Sequence, residues 1–265
     1  MSEQQASQGA RRETASAEWA VSFEAVSVRY SAKEGERVSG LHDVTAQVRP
    51  GTTVTIVGPS GAGKSTLLSL CNLLRTPTQG RVRVFGVEVR DWDIPELRRQ
   101  VGMVFQSPVM LPGSVRHNLL LGPSLHGGTS DDAEAWLTRV GLDVALLDKS
   151  AADLSGGEKQ RLSFVRTVLN RPRVLLLDEV TSALDATATQ QVESAVRALQ
   201  QRTGCTVLWV THHLHQARRM GDETWLMVDG RLVEAAPTEQ FFRAPQSEAA
   251  RSFLQSAEAG GALQP

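Results

Sequence analysis

Thr52-Thr53-Val54-Thr55-Ile56-Val57, running straight into Gly58-Pro59-Ser60-Gly61-Ala62-Gly63-Lys64-Ser65-Thr66, is the stretch that decides the architecture. The first half is short, β-branched and apolar, and it is bounded by the Pro50-Gly51 turn, which reads as a buried strand. The second half matches G-x-x-x-x-G-K-[ST], with a helix expected from Lys64 to Leu74. Its glycines let the backbone wrap a polyphosphate, so that several N–H groups and a helix N-terminus point at it. In that cradle Lys64 meets the β and γ oxygens, and the Ser65 hydroxyl reaches a Mg²⁺ that bridges them. An ordinary glycine turn is the bland alternative, and it leaves the strand before and the helix after unexplained. The spacing G-x-x-G-x-G also departs from the dinucleotide pattern G-x-G-x-x-G.

Outward from this centre, apolar runs alternate with helical patterns, the sign of an α/β fold. Strands are expected at Val21–Tyr30, Val44–Val48, Gly80–Phe85, Val101–Phe105, Val174–Leu177, Thr206–Val210 and Thr224–Val228. Helices are expected at Ile94–Arg99, Thr187–Arg202 and Leu214–Arg219. From Ser114 to Leu169 the pattern turns helical, including Asp131–Val140 with Ser130 as N-cap, and reads as a helical insertion. Residues 1–18 and 256–265 read as disordered tails around one domain of residues 19–255. No repeat of 20 to 50 residues is visible.

Composition narrows the classes. The 265 residues carry 28 Lys+Arg against 29 Asp+Glu, a formal charge of −1, which argues against a protein held to nucleic acid by bulk charge. No apolar run approaches the roughly 18 residues that cross a bilayer, and Met1 to Arg12 lacks a secretory h-region. Cys71 and Cys205 stand far apart without a CxxC or His/Cys pairing, so a reducing cytoplasm is the default.

The other half of a magnesium site should be an acid at a strand end, and Val174-Leu175-Leu176-Leu177-Asp178-Glu179 supplies it. Asp178 would hold the metal, and Glu179, leaving the strand, would polarise an attacking water as general base. Further along, Leu154-Ser155-Gly156-Gly157-Glu158-Lys159-Gln160-Arg161 opens a helix, with Ser155 and Glu158 spaced for a capping box. A capped helix does not require Gly156 and Gly157, which cost about 0.8–1.0 kcal/mol each relative to alanine in a helix interior. Bare N–H groups beside a serine hydroxyl make an anion site. A chain that already has one phosphate cradle would use the second on the γ-phosphate held by another copy or a homologous partner.

With these motifs in this order, residues 20 to 245 resemble the ATP-binding subunit of an ABC (ATP-binding cassette) transporter. The resemblance implies a P-loop NTPase fold: a RecA-like core with an antiparallel β subdomain, about 19–106 and 164–255, and an inserted α-helical subdomain, about 107–163. It implies ATP and Mg²⁺ as cofactors, a Q-loop at Gln106 that touches metal and attacking water, and a signature at Leu154–Glu158. It also implies a D-loop at Ser182-Ala183-Leu184-Asp185 with Asp185 acting across a dimer, a switch His212 that senses the γ-phosphate, and Tyr30 stacked on adenine. A tyrosine packed at a strand end is the rival for Tyr30, and a metal cluster is the rival for His212, His213 and His215. Two departures stand out: Val180 follows Asp178-Glu179 where the family often has proline, and His213 follows His212 where it often has an acid.

Competing roles for such an ATPase thin out quickly. Long coiled-coil arms would be needed for DNA repair, and the 48 residues between Gln106 and Ser155 hold no sustained heptads. Ribosome-acting members usually carry two cassettes, and a P-loop kinase lacks Leu154–Glu158. The expectation is a transporter subunit, peripheral on the cytoplasmic face of the inner membrane, that works as a homodimer or with a homologous ATPase subunit. It would dock on a separate transmembrane permease, with Pro108-Val109-Met110-Leu111-Pro112 offered to that contact, and bind no nucleic acid. A buried loop anchor is an equal use of that run. The motif runs are most similar to iron-exporter and aluminium-tolerance-type ATPases, with phosphate importers next.

Overall fold

The computed structural model describes residues 17–30, 40–127 and 132–259. The expected tails at 1–16 and 260–265, and the cap at Ser130, lie outside the described residues. The chain divides into two compact units: one takes the sequence up to Arg98 and again from Thr206, the other is Arg99–Cys205.

The first unit contains two sheets. Strands β1 (Val21–Val28), β2 (Leu41–Val48), β4 (Gln79–Val84) and the short β5 (Val87–Glu88) form an antiparallel sheet in the order β2-β1-β4-β5. Along β2 only Leu41, Val44 and Val48 are buried, and the other positions are exposed or half-buried, so one face of it is covered. The central strand β3 (Thr53–Val57) is buried at every position. It pairs in parallel with β8 (Thr206–Val210) on one side and β9 (Glu223–Val228) on the other. Burial on both faces explains the short β-branched run, without exposed charged positions, that betrays β3 in the sequence.

Beyond β9, Asp229 and Gly230 take φ 47° and 74° and turn the chain into β10 (Arg231–Pro237). Helix α1 (Lys64–Cys71) follows β3, and α2 (Ile94–Gln100) ends at the boundary between the units. α7 (Leu214–Met220), α8 (Thr238–Arg243) and α9 (Glu248–Ala259) complete the first unit. Leu214, Ala217, Phe241, Ala250 and Leu254 from these helices pack with Val57, Leu226 and Ala236 into one apolar cluster. Helix α9 runs to Ala259, so the residues from 256 to 259 that the sequence places in a tail are helical. Leu254, on the buried side of that helix, is the physical reason: the helix docks into the cluster rather than ending before it.

The second unit pairs β6 (Val101–Val104) in parallel with β7 (Val174–Asp178). Its helices are α3 (Val115–Leu125), α4 (Ala133–Arg139), α5 (Gly156–Val168) and α6 (Ala186–Thr203). Within this unit α5 packs on β6 and α6 packs on α4. A Cβ on Gly102 would come within 2.7 Å of Thr167, which shows how closely α5 lies on β6.

Candidate functional site

In the first unit the phosphate-cradle sequence forms a tight loop between β3 and α1. Gly58 (φ 141°) and Gly63 (φ 93°) adopt backbone that only glycine takes without strain. A Cβ on Gly58 would strike the Met227 carbonyl at 2.0 Å, and one on Gly63 would strike Leu41 at 2.7 Å. Gly61 (φ 79°) faces open space, so only its conformation calls for glycine. The Ala62 N–H donates to the Pro59 carbonyl at 3.3 Å and closes the turn. Pro59, Ser60, Gly61 and Ser65 are exposed along it, while Ala62 is buried. Lys64 is 5% exposed, and its ammonium donates to the carbonyls of Gly58 and Pro59 at 2.8 Å each. A buried cation aimed along the loop backbone is poised to exchange those carbonyls for phosphate oxygens.

Tyr30 reaches the same loop. Its hydroxyl shares a 2.7 Å hydrogen bond with that of Thr66, and the Arg75 guanidinium lies 4.9 Å from its ring centroid. The ring is therefore mounted on α1 and has a cation over one face, an arrangement the sequence did not signal. At the end of β8, Thr211 accepts from the His213 N–H and donates to Gln216, which fixes the strand exit. His212 and His213 are exposed there, and His215 is half-buried on α7.

In the second unit the parallel register makes the pairing of Gln106 with Glu179. Val104 is the partner of Leu177, so Gln106 and Glu179 each stand two residues past the end of the ladder. Their side chains meet: the Gln106 amide donates to the Glu179 carboxylate at 2.9 Å. Glu179 sits at φ 51°, a left-handed backbone that a non-glycine residue adopts at a cost of about 1–3 kcal/mol. Ser182 stabilises that corner, donating its N–H and hydroxyl to the Glu179 carbonyl at 3.1 and 2.9 Å. A carboxylate so held can take a proton from a water while the amide orients it. Asp178, 8% exposed, ends β7. Its carboxylate and the Gln106 amide oxygen in this unit, and separately the Ser65 hydroxyl in the first, are hard oxygen donors, the type Mg²⁺ prefers.

Helix α5 begins with the expected capping box. The Glu158 N–H donates to the Ser155 hydroxyl at 3.3 Å, and the Ser155 N–H donates to the Glu158 carboxylate at 2.8 Å. That backbone donation, followed by the side-chain bond to Ser155, holds the Glu158 carboxyl below the usual glutamate range. Gly156 has no positive φ, and a Cβ on it would meet nothing within 4 Å. Gly157 is tighter, since a Cβ there would press on Leu184 at 3.3 Å. Asp185 caps α6, accepting the Ala188 N–H at 2.8 Å. Gln160, one turn inside α5, donates to the Phe105 carbonyl, a role that no local sequence pattern reveals.

Residues 41–182 match the family model described as ABC transporter. The chain is 48% identical over 235 residues to a putative ABC transporter ATP-binding protein, YjkB, of Bacillus subtilis, covering 89% of this chain and 94% of the relative. It is 39% identical over 231 residues to the phosphate import ATP-binding protein PstB 2 of Natronomonas pharaonis, covering 81% and 80%. A solved structure described as the dimeric, post-hydrolysis state of the ATP-binding cassette MJ0796 bound to ADP and Pi superposes with a TM-score of 0.74 at 28% identity, covering 82% of this chain and 98% of that one. The family model over residues 41–182 and relatives 48% and 39% identical over most of their length make the chain a member of the ABC transporter family: an ATP-binding, ATP-hydrolysing subunit.

Proposed function

We propose that two copies of this chain, or one copy and a homologous subunit, close around ATP and drive a separate membrane permease. The observation that carries this is Gly156. Neither its backbone angle nor its surroundings among the described residues calls for glycine, so the demand comes from something that approaches the helix end from outside. A triphosphate held by the opposite copy has the charge that such an end attracts.

In this reading residues 58–66 wrap the phosphates, Lys64 neutralises the β and γ oxygens, and Tyr30 offers its ring to adenine. Ser65, Asp178 and Gln106 would hold a Mg²⁺, which would supply charge neutralisation on the phosphate oxygens. Glu179 accepts the proton of the attacking water, Gln106 orients that water, and His212 contacts the γ-phosphate. Ser155, Gly156 and Gly157 cover that phosphate from the partner copy, and Asp185 lies at the same seam. No described helix is long and apolar enough to cross a membrane, which accords with a peripheral subunit that borrows its pore.

For the cargo, the motif runs favour a metal ion such as iron. Likeness to a phosphate import protein favours inorganic phosphate instead. The test is to co-purify the chain with its permease from membranes, identify that permease, and measure ATP-driven flux in vesicles. Iron-coupled turnover supports the first cargo, and phosphate-coupled turnover replaces it with the second. A chain that never associates with a membrane protein overturns the transport reading.

A further inference from the structure

Gln160 belongs to the run that opens α5, yet the capping box and the open glycines leave it without a function. It is 5% exposed, a place where a leucine would satisfy packing alone. A buried primary amide is tolerated only when its hydrogen bonds are met. The Gln160 side chain donates to the Phe105 carbonyl at 2.9 Å. Phe105 is the first residue beyond β6, so this carbonyl lies past the last ladder pair at Val104 and Leu177. The next residue is Gln106, whose amide holds Glu179.

A second grip lies on the other side. The Arg166 guanidinium, also on α5, donates to the Val109 carbonyl at 2.8 Å and to the Asn118 side-chain oxygen at 3.1 Å. Asn118, fully buried, in turn binds Leu111 through both its N–H and its carbonyl, at 2.9 and 3.0 Å. The backbone around Gln106 is thus fastened to a single helix at residue 105 and again at 109. That helix carries the capped glycine end at its N-terminus. The Val109 side chain, at 70% exposed, is presented outward by the same clamp.

We propose that Gln160 is a positioning residue for hydrolysis: by fixing the Phe105 carbonyl it makes α5 and the Gln106–Glu179 pair move as one piece. Nucleotide capture at the helix end and alignment of the attacking water are then mechanically linked inside one unit. The proposal rests on the hydrolytic roles of Gln106 and Glu179 given above. A misplacement of about 1 Å at such a pair costs on the order of a hundredfold in rate.

The test uses the full chain with saturating Mg-ATP. Gln160→Leu should lower kcat by about tenfold or more, with KM for ATP within about twofold of wild type and an unchanged melting temperature. In a Gln106→Ala background the same substitution should change kcat less than about twofold, because the residue it acts through is gone. Amide hydrogen exchange over residues 104–112 should quicken in Gln160→Leu while α5 keeps its protection. Gln160→Glu gives a second handle: a buried glutamate titrates above its usual range and donates only while protonated. Its kcat relative to wild type should rise as pH falls, and that of Gln160→Leu should stay flat. A Gln160→Leu loss that multiplies fully onto Gln106→Ala would overturn the proposal, as would unaltered exchange over 104–112. If Gln106→Ala and Glu179→Gln themselves hydrolyse normally, the catalytic reading fails instead, while the exchange result still decides whether Gln160 fixes the segment.

Discussion

Glu179 is the residue on which most of the proposed chemistry converges. Its left-handed backbone follows directly after a five-residue strand buried throughout, so the strain is held in place by β7 rather than by local sequence. What it gains is direction: the carboxylate leaves the sheet where the Gln106 amide can reach it. Glu179→Gln keeps size and backbone but removes the proton acceptor. We expect turnover to fall by about 10²–10⁴-fold with ATP binding retained, read by single-turnover hydrolysis beside fluorescent-nucleotide titration. Near wild-type hydrolysis would remove Glu179 from the general-base role. Tyr30 separates two uses of one ring in the same way. Tyr30→Phe loses only the bond to Thr66, whereas Tyr30→Ala loses the ring that Arg75 covers. If the ring carries adenine, Tyr30→Ala weakens ATP by about 1–3 kcal/mol, Tyr30→Phe much less, and tripolyphosphate binding is untouched. Equal ATP affinity in all three proteins would leave the ring a packing residue. The motif residues themselves were legible because each has a fixed local spacing. The contacts that set them were not: Gln106 meets Glu179 across 73 residues and Gln160 meets Phe105 across 55, and no local pattern encodes such pairings.

At the scale of elements, the legible pieces are those whose burial matches a simple period. β3, β7 and β8 are buried at every position, and their short runs of apolar and β-branched residues announce it. β10 and the two helices after it went unread, because its inward positions are Glu234 and Ala236, and a buried glutamate disguises the alternation. The Asp229-Gly230 pair before it is a hairpin signal that marks the turn even so. Glu234 is buried for a purpose visible only in three dimensions. Its carboxylate accepts the N–H groups of Gln246 and Ser247 at 2.9 and 2.8 Å and the Ser247 hydroxyl at 2.7 Å, and so latches α9 to the sheet. Burial pushes its pKa up, but these donations outweigh it and hold the carboxyl below the usual range. A depressed folded pKa means that the contribution to stability is present above the unfolded value, about 4.3, and is lost as pH falls through the folded one. Glu234→Gln should therefore destabilise by about 1–2 kcal/mol at pH 7. That difference should shrink as pH falls from the unfolded value through the lower folded one, where the wild-type carboxylate becomes protonated. Thermal unfolding of both proteins across pH 3 to 7 checks this, and a pH-independent gap would assign the latch to packing.

For the whole molecule, the proposed assembly is two ATPase subunits, and among the described residues nothing lies within 4 Å of a Cβ built on Gly156 at the end of α5. Electrostatics alone would not hold such a pair together: a helix N-terminus is worth roughly 0.3–1 kcal/mol toward an exposed anion. Closure instead depends on backbone N–H groups reaching the phosphate directly, which is where side-chain volume at residues 155–157 matters. Ser155→Arg adds bulk and removes the cap hydroxyl, so helix stability must be separated from docking. Ser155→Ala serves as that control: it loses about 1 kcal/mol of capping while leaving the approach open. In a Glu179→Gln background with Mg-ATP, we expect a dimer by sedimentation. Adding Ser155→Ala should weaken the dimer modestly, and adding Ser155→Arg should abolish it at the same protein concentration, with nucleotide still bound to the single copies through residues 58–66. Gly156→Val extends the argument to a site where this chain offers no clash, so a loss of dimer there traces to the partner's nucleotide. A Gly156→Val protein that dimerises as well as its parent would mean that no phosphate approaches α5 closely, and the two-copy clasp would fall with it.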